Sequence, residues 1–212
     1  MKKDNNTIVI ESITPKRATI TIEGTGTLCL NKMNARNFRA LTADDRKKVS
    51  ETPNPWEDVI TALHWRDQLP MKDTYTESDE QMMQTLLSTN APCISAFGLK
   101  KSFGQAVVRQ EIDKFSTKFD ASMNIVATNG LIPIEFTDWS LDERLMSPKR
   151  GAPVTVRLNH FSGWRAKFDI EYLDNVFSIN AIVNVINIAG FSMGIGSGRT
   201  SGFGRYKVVN VQ

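Results

Sequence analysis

Residues 164–211 read WRAKFDIEYLDNVFSINAIVNVINIAGFSMGIGSGRTSGFGRYKVVNV. Trp164, Ala166, Phe168, Ile170 and Tyr172 alternate with Arg165, Lys167, Asp169 and Glu171. One apolar and one charged face at a period of two predict a strand half-buried against a core. Ser178 suits the N-cap of a helix. Ile179, Ile182, Val183, Ile186 and Ala189, widened by Val185 and Ile188, give that helix a broad apolar face. Gly190 is placed to stop it as a left-handed C-cap. The stretch Gly194–Tyr206 then holds five of the chain's 13 glycines, with Arg199 and Arg205 among them. Arg205 to Val211 alternates again as a closing strand. The order strand, helix, glycine loop, strand is one β-α-β unit.

The glycine loop has two readings. Glycine permits positive φ and close backbone approach. The backbone N–H groups of Gly194, Gly196, Gly198, Gly202 and Gly204 therefore suit a phosphate chain, with Arg199 and Arg205 on the phosphates. The same glycines also suit a tight helix-to-strand connection packed against a sheet. No lysine–Ser/Thr pair follows them, so this is no P-loop. No helix follows either, which excludes a dinucleotide fingerprint.

Working toward the N-terminus, Val154 to Leu158 reads as a strand and Trp139 to Pro153 as a loop. Ala121–Ala127 and Leu131–Phe136 flank Thr128-Asn129-Gly130, a hairpin signal. Phe97 to Ile112 carries Leu99, Phe103, Ala106 and Val107 at helical spacing. Leu69 to Glu80 is polar and turn-rich. Trp56 to Arg66 reads as a short amphipathic helix after the break at Thr52-Pro53-Asn54-Pro55. Ala18 to Leu30 reads as one or two strands bent at Gly24 and Gly26, and Thr7 to Ile13 as a short β-branched strand. Residues 31–80 read as an insertion between core elements. A second β-α-β unit completes the pattern. The expected fold is α+β: a ferredoxin-like, RRM-like split βαβ antiparallel sheet in one domain over 1–212, with a large insertion after the first strand region. In modules of this topology the open sheet face can carry bases.

The chain has 212 residues and a net charge of only +3, so nucleic-acid binding requires a local basic patch. Lys32, Arg36, Arg39, Arg46, Lys47 and Lys48 form one, with Phe38 interleaved as a base-stacking ring. The alternative is a solvated helix face. Lys100, Lys101 and Arg109 share the predicted first helix, and Lys149, Arg150 and Arg165 form a further cluster. Trp164, Phe168 and Tyr172 read as core, and Trp56 and Trp65 as local packing or a subunit contact. Cys29 and Cys93 lack metal-ligand spacing and read as reduced core thiols. No metal or cofactor is expected. No apolar run reaches the roughly 18 residues of a membrane span. No signal-peptide pattern follows Met1, so a cytoplasmic location is expected.

The terminal segment resembles the glycine-rich loop of the RAMP superfamily, on Gly194, Gly196, Arg199, Gly202 and Gly204. Members include guide-RNA-binding backbone subunits of CRISPR effectors. The chain also resembles phage-encoded proteins of similar length, loosely through Pro92, Phe97, Lys100, Lys101 and Ala106. The resemblance implies RNA or single-stranded DNA as partner, held by phosphates on the glycine loop. It also implies self-assembly into a filament or ring, CRISPR effector subunits as protein partners, and a thumb supplied by 31–80 or 139–153. The endoribonuclease members' histidine constellation is not found: His64 and His160 stand alone, and Asp44, Asp45 and Asp58 are unspecific. Three readings follow. The first is a non-enzymatic binder of single-stranded nucleic acid. The second is an anti-CRISPR decoy acting through protein contacts. The third is a metal-independent ribonuclease using His64 or His160.

Overall fold

The computed structural model describes residues 14–42, 55–69, 79–146 and 154–212. In chain order the elements are β1 (Lys16–Gly24), β2 (Leu28–Leu30), α1 (Ala35–Thr42), α2 (Pro55–Thr61), β3 (His64–Trp65), α3 (Asp79–Thr89), β4 (Pro92–Ser95) and α4 (Ala96–Arg109). There follow α5 (Thr117–Ser122), β5 (Met123–Val126), β6 (Leu131–Glu135), β7 (Asp138–Met146), β8 (Val154–Ser162), β9 (Arg165–Tyr172), α6 (Ile179–Ser192) and β10 (Tyr206–Val211). The fold is α+β with antiparallel sheets.

The larger sheet runs β10-β1-β9-β6-β4-β3, with β5 also on β9. β9 keeps the alternation read from its sequence: Ala166, Phe168, Ile170 and Tyr172 are buried, and Arg165 and Lys167 are exposed. The aromatic stripe is core, as expected, with Trp164 fully buried. On the same side, Ala18, Ile20 and Ile22 of β1 meet Phe103 of α4 and Ile182 and Ile186 of α6 in one apolar cluster.

The opposite sheet face is polar. Arg17 donates to Glu171 at 2.7 Å, Thr19 to Asp169 at 2.6 Å and Arg165 to Glu23 at 2.7 Å. These are cross-strand partners in register. Neither β1 nor β9 places an aromatic ring there, and carboxylates line it. The expectation of a sheet face open to bases therefore finds no stacking platform on these two strands.

The smaller sheet runs β2-β8-β7. β1 reaches it through Thr25–Thr27, and β8 leaves it for β9 at Ser162–Trp164. Trp164 stands at this corner, its indole Nε1–H donating to the Gly26 carbonyl at 3.0 Å.

Several expectations are corrected. The predicted loop over 139–153 contains strand β7 as far as Met146. Its charges are matched across the ladder by Glu143–Arg157 and along it by Asp142–Arg144. β5 and β6 do not form a hairpin; both pair with β9, Met123 opposite Tyr172 and Ile134 opposite Ala166. They lie end to end, and left-handed Asn129 (φ 55°) and Gly130 (φ 69°) make the jog between them. The polar run 69–80 ends inside α3, which buries Met83 and Leu86. α2 stops at Thr61, and His64–Trp65 is a strand paired with β4. Gly190 does not end α6. The helix continues to Ser192, and the left-handed residue is Gly194 (φ 65°). Gly190 is needed for another reason: a Cβ there would stand 2.1 Å from the Tyr206 carbonyl oxygen, so α6 crosses the backbone of β10 at this residue.

Of the 31–80 insertion, residues 55–65 are built into the core, with Val59 and Ile60 fully buried and Trp65 beneath them. The Trp65 indole donates to the Ile60 carbonyl at 2.9 Å. The Thr7–Ile13 strand, Arg46 to Lys48, Asp44, Asp45, Lys149 and Arg150 lie outside the described residues.

Candidate nucleic-acid interface

The five loop glycines all have positive φ. The loop lies along β2, on the side away from β8. Ser197 N–H donates to the Cys29 carbonyl at 2.8 Å, Gly204 N–H to Thr27 at 2.8 Å, and Ser197 Oγ to Asn31 at 3.1 Å. Gly194 N–H donates to Ala189 and Gly202 N–H to Arg199. Three of the five predicted phosphate-binding N–H groups are therefore engaged inside the fold. Those of Gly196 and Gly198 have no partner among the described residues. The tight-connection reading accounts for most of this glycine content.

The two loop arginines separate. Arg205 Nη1 donates to the Phe191 carbonyl at 2.7 Å and Nη2 to the Arg199 carbonyl at 3.4 Å, tying the loop to the end of α6. The Arg199 side chain is exposed and forms no ion pair among the described residues.

Arg199 opens onto a cleft of about 330 Å³ between the exit of β2, the start of α4 and the glycine loop. Lys32, His64, Lys101, Gly196 and Arg199 line it, with Ser95, Gln105 and Ser197 as polar neighbours and no acidic residue among the described lining residues. Ser95 ends β4 and caps α4, accepting the Gly98 N–H at 3.2 Å. The positive end of a 14-residue helix thus joins the cations. Lys32 is set by a backbone bond from its N–H to the Ala62 carbonyl at 2.8 Å. Enough protein surrounds its ammonium to hold the pKa below the usual lysine value. His64 is half-buried. Burial first, and then the Lys32 charge, hold its imidazole below its ordinary pKa. Four basic side chains from four segments thus converge without a counter-charge among the described residues, an arrangement complementary to phosphate.

Lys32 and His64 also line a neighbouring cavity of about 510 Å³ with Met33, Phe38, Leu63 and Trp65. Phe38 is 58% exposed there. Its helix α1 starts at Asn34, whose Oδ1 accepts the Asn37 N–H at 2.8 Å while its amide donates to Asp58 at 2.8 Å. Arg36 and Arg39 are on α1. Lys100 and Lys101 stand on α4, where a third cavity adjoins the cleft at Lys101 and Gln105. Sequence reasoning missed Ser95, Gln105 and the place of His64. The Ser95-Ala96-Phe97-Gly98 start of α4 was the available signal for the first.

His160 lies apart from the cleft, on β8 against Phe203 at 4.9 Å between ring centroids. Its Nε2 has no hydrogen-bond partner among the described residues and stands 3.7 Å from Asp142. Burial holds its pKa below the ordinary value, the Asp142 charge opposing and Arg144 assisting. Cys29 and Cys93 are buried, their thiols pushed up to about 11 by burial. No group of three or more His, Cys, Asp and Glu side chains suited to a metal occurs among the described residues, and no helix there is long and apolar enough to cross a membrane.

The two histidines fix a pH dependence. Both have folded-state pKa values below the unfolded value, so the unfolded chain binds more protons on acidification. Stability is expected to be full above roughly pH 6.5 and to fall as the pH drops below it. His64→Gln and His160→Asn should each flatten this fall in thermal melts between pH 5 and 8. A phosphate in the cleft favours imidazolium, so its binding should tighten over the same descent.

No protein-family model and no curated protein matches this sequence. The solved structures similar in shape to this chain include the following two. One is a chain of the type III-B Cmr-beta complex bound to cognate target RNA, by cryo-EM: TM-score 0.49, 10% identity, covering 92% of this chain and 59% of that one. The other is Cmr6 from Pyrococcus furiosus: TM-score 0.36, 8% identity, covering 93% of this chain and 100% of that one. At these values neither likeness bears on function.

Proposed function

We propose that this chain is a non-catalytic, RAMP-like protein that binds single-stranded RNA or DNA by its phosphate backbone. The observation that carries the reading is the cleft, without an acidic residue among its described lining, in which Lys32, His64, Lys101 and Arg199 meet the start of α4. Strand order supports the body proposed for it: β10-β1-β9 followed by β5 and β6, with α4 and α6 on one face, is the 4-1-3-2 order of a split βαβ, ferredoxin-like sheet. The phosphate path runs through the cleft rather than over the sheet face, where Arg17 and Arg165 are held by Glu171 and Glu23. A base beside the bound phosphate reaches Phe38. Among the described residues lining the cleft, none is a carboxylate or second imidazole to share a proton with His64, and Asp67 in the adjoining cavity is held by Arg66, which favours binding over cleavage.

The test is fluorescence anisotropy with labelled RNA and DNA strands of about 30 nucleotides across a salt series. The logarithm of the affinity should fall linearly with the logarithm of salt, by about 0.7 per phosphate contacted. Phe38→Ala should weaken binding by about 1–3 kcal/mol without changing that slope. Affinity independent of salt would overturn the proposal.

A further inference from the structure

We infer that the groove along α4 is a docking site for an acidic amphipathic helix of another protein. This inference does not rest on the nucleic-acid reading, although Lys101 lines both sites. The groove encloses about 860 Å³ between α4 and the segment that carries α5 and β5. Phe97, Lys101, Gly104 and Val108 fall on one stripe of α4, and Ile125 stands on the other wall. A stripe at this spacing covers about three helical turns, enough for a second helix with anchors at i, i+4 and i+7.

The wall is unusually apolar for a solvent-facing surface. Phe97 is 75% exposed and Val108 43%, and just beyond α4 Ile112 and Phe115 are 47% and 63% exposed. Exposed large apolar side chains at both ends of one groove suit an interaction site. Charge specifies the occupant. Lys100, Lys101 and Arg109 line the groove and form no ion pair among the described residues; Asp120 is the one carboxylate among the described lining residues, and Glu111 and Asp113 lie beyond the end of α4. A helix presenting leucine or phenylalanine on one face and glutamates on its flanks satisfies both features. A nucleic-acid strand satisfies the charge but little else: Phe97 offers one ring, while Gly104, Val108 and Ile125 offer none for successive bases to stack on.

The probe is a fluorescein-labelled helical peptide of about 14 residues, with leucine and phenylalanine at i, i+4 and i+7 and glutamate elsewhere. One control replaces its apolar residues by serine, and another its glutamates by lysine. Titrated into the full chain, the acidic peptide should bind at least about tenfold more tightly than either control. Val108→Asp, and separately Lys100→Glu with Arg109→Glu, should each weaken it by about tenfold or more. All three positions are at the surface, and circular dichroism melts verify that each variant folds. Phe97→Ser supplies a second apolar variant. RNA affinity of Val108→Asp should stay within about twofold of the unaltered chain. An acidic peptide that binds no better than its controls overturns the inference. So does a Val108→Asp variant that loses RNA affinity as strongly as Lys32→Glu, since the groove would then belong to the nucleic-acid path.

Discussion

Gly204→Ala is expected to lower stability by about 4 kcal/mol or more, placing it among the exceptional single substitutions. The new methyl carbon would stand 1.8 Å from the Ile195 carbonyl oxygen and 2.8 Å from the carbonyl carbon. Both atoms are backbone, and Ile195 N–H is itself bound to the Gly204 carbonyl at 3.0 Å. Neither side can yield without opening the loop. The residue also has φ 69°, which costs an L side chain about 1–2 kcal/mol. Gly202→Ala isolates that smaller term. Its φ is 89°, but nothing lies within 4 Å of the added carbon. Urea midpoints should therefore order as unaltered chain, then Gly202→Ala, then Gly204→Ala well below. Equal losses for the two alanines would show that the loop does not close as described.

Lys32→Glu combined with Arg199→Glu should weaken binding of single-stranded RNA about 100-fold or more, while the melting temperature stays close to that of the unaltered chain. Two charged contacts at about 1.5–3 kcal/mol each set this scale. The salt slope should fall by about 1.4 at the same time. Both side chains reach solvent and form no ion pair among the described residues, so the fold loses little. Arg205→Ala should do the reverse. Its guanidinium bridges the Phe191 and Arg199 carbonyls, and its loss should lower the melting temperature more than the affinity measured below the melt. If Arg205→Ala removed binding with no loss of stability, the assignment of roles within the loop would be inverted.

Parts of this molecule were legible in the chain because local pattern and final environment agree. β9 alternates because one face meets the core and the other water. α6 starts where Ser178 Oγ accepts the Ala181 N–H. Where partners are distant, pattern misleads. β7 reads as a loop because its charges look unsuited to a strand until Arg157 of β8 stands opposite Glu143. Thr128-Asn129-Gly130 has the composition of a hairpin turn, yet both flanking strands find a better partner in β9. Gly190 looks like a helix stop because the sequence cannot display β10 pressed against it. The cleft is the extreme case. Lys32, Lys101 and Arg199 were each readable as basic residues, but their meeting depends on β2, α4 and the glycine loop being neighbours. Arg199 and Arg205 look equivalent in sequence, and only the carbonyls around Arg205 distinguish them.

The position of β1 sets the order in which the chain can acquire its structure. Its two ladder partners, β9 and β10, begin at Arg165 and Tyr206. During synthesis β1 therefore waits with both edges unpaired until β9 has emerged, and with one edge unpaired until β10 follows. Pairing at such long sequence separation makes folding slow. It also leaves Ile20 and Ile22 available to other chains in the interval. Refolding from urea should be limited by this late closure, and truncation before Tyr206 should yield a chain that aggregates rather than a smaller folded domain.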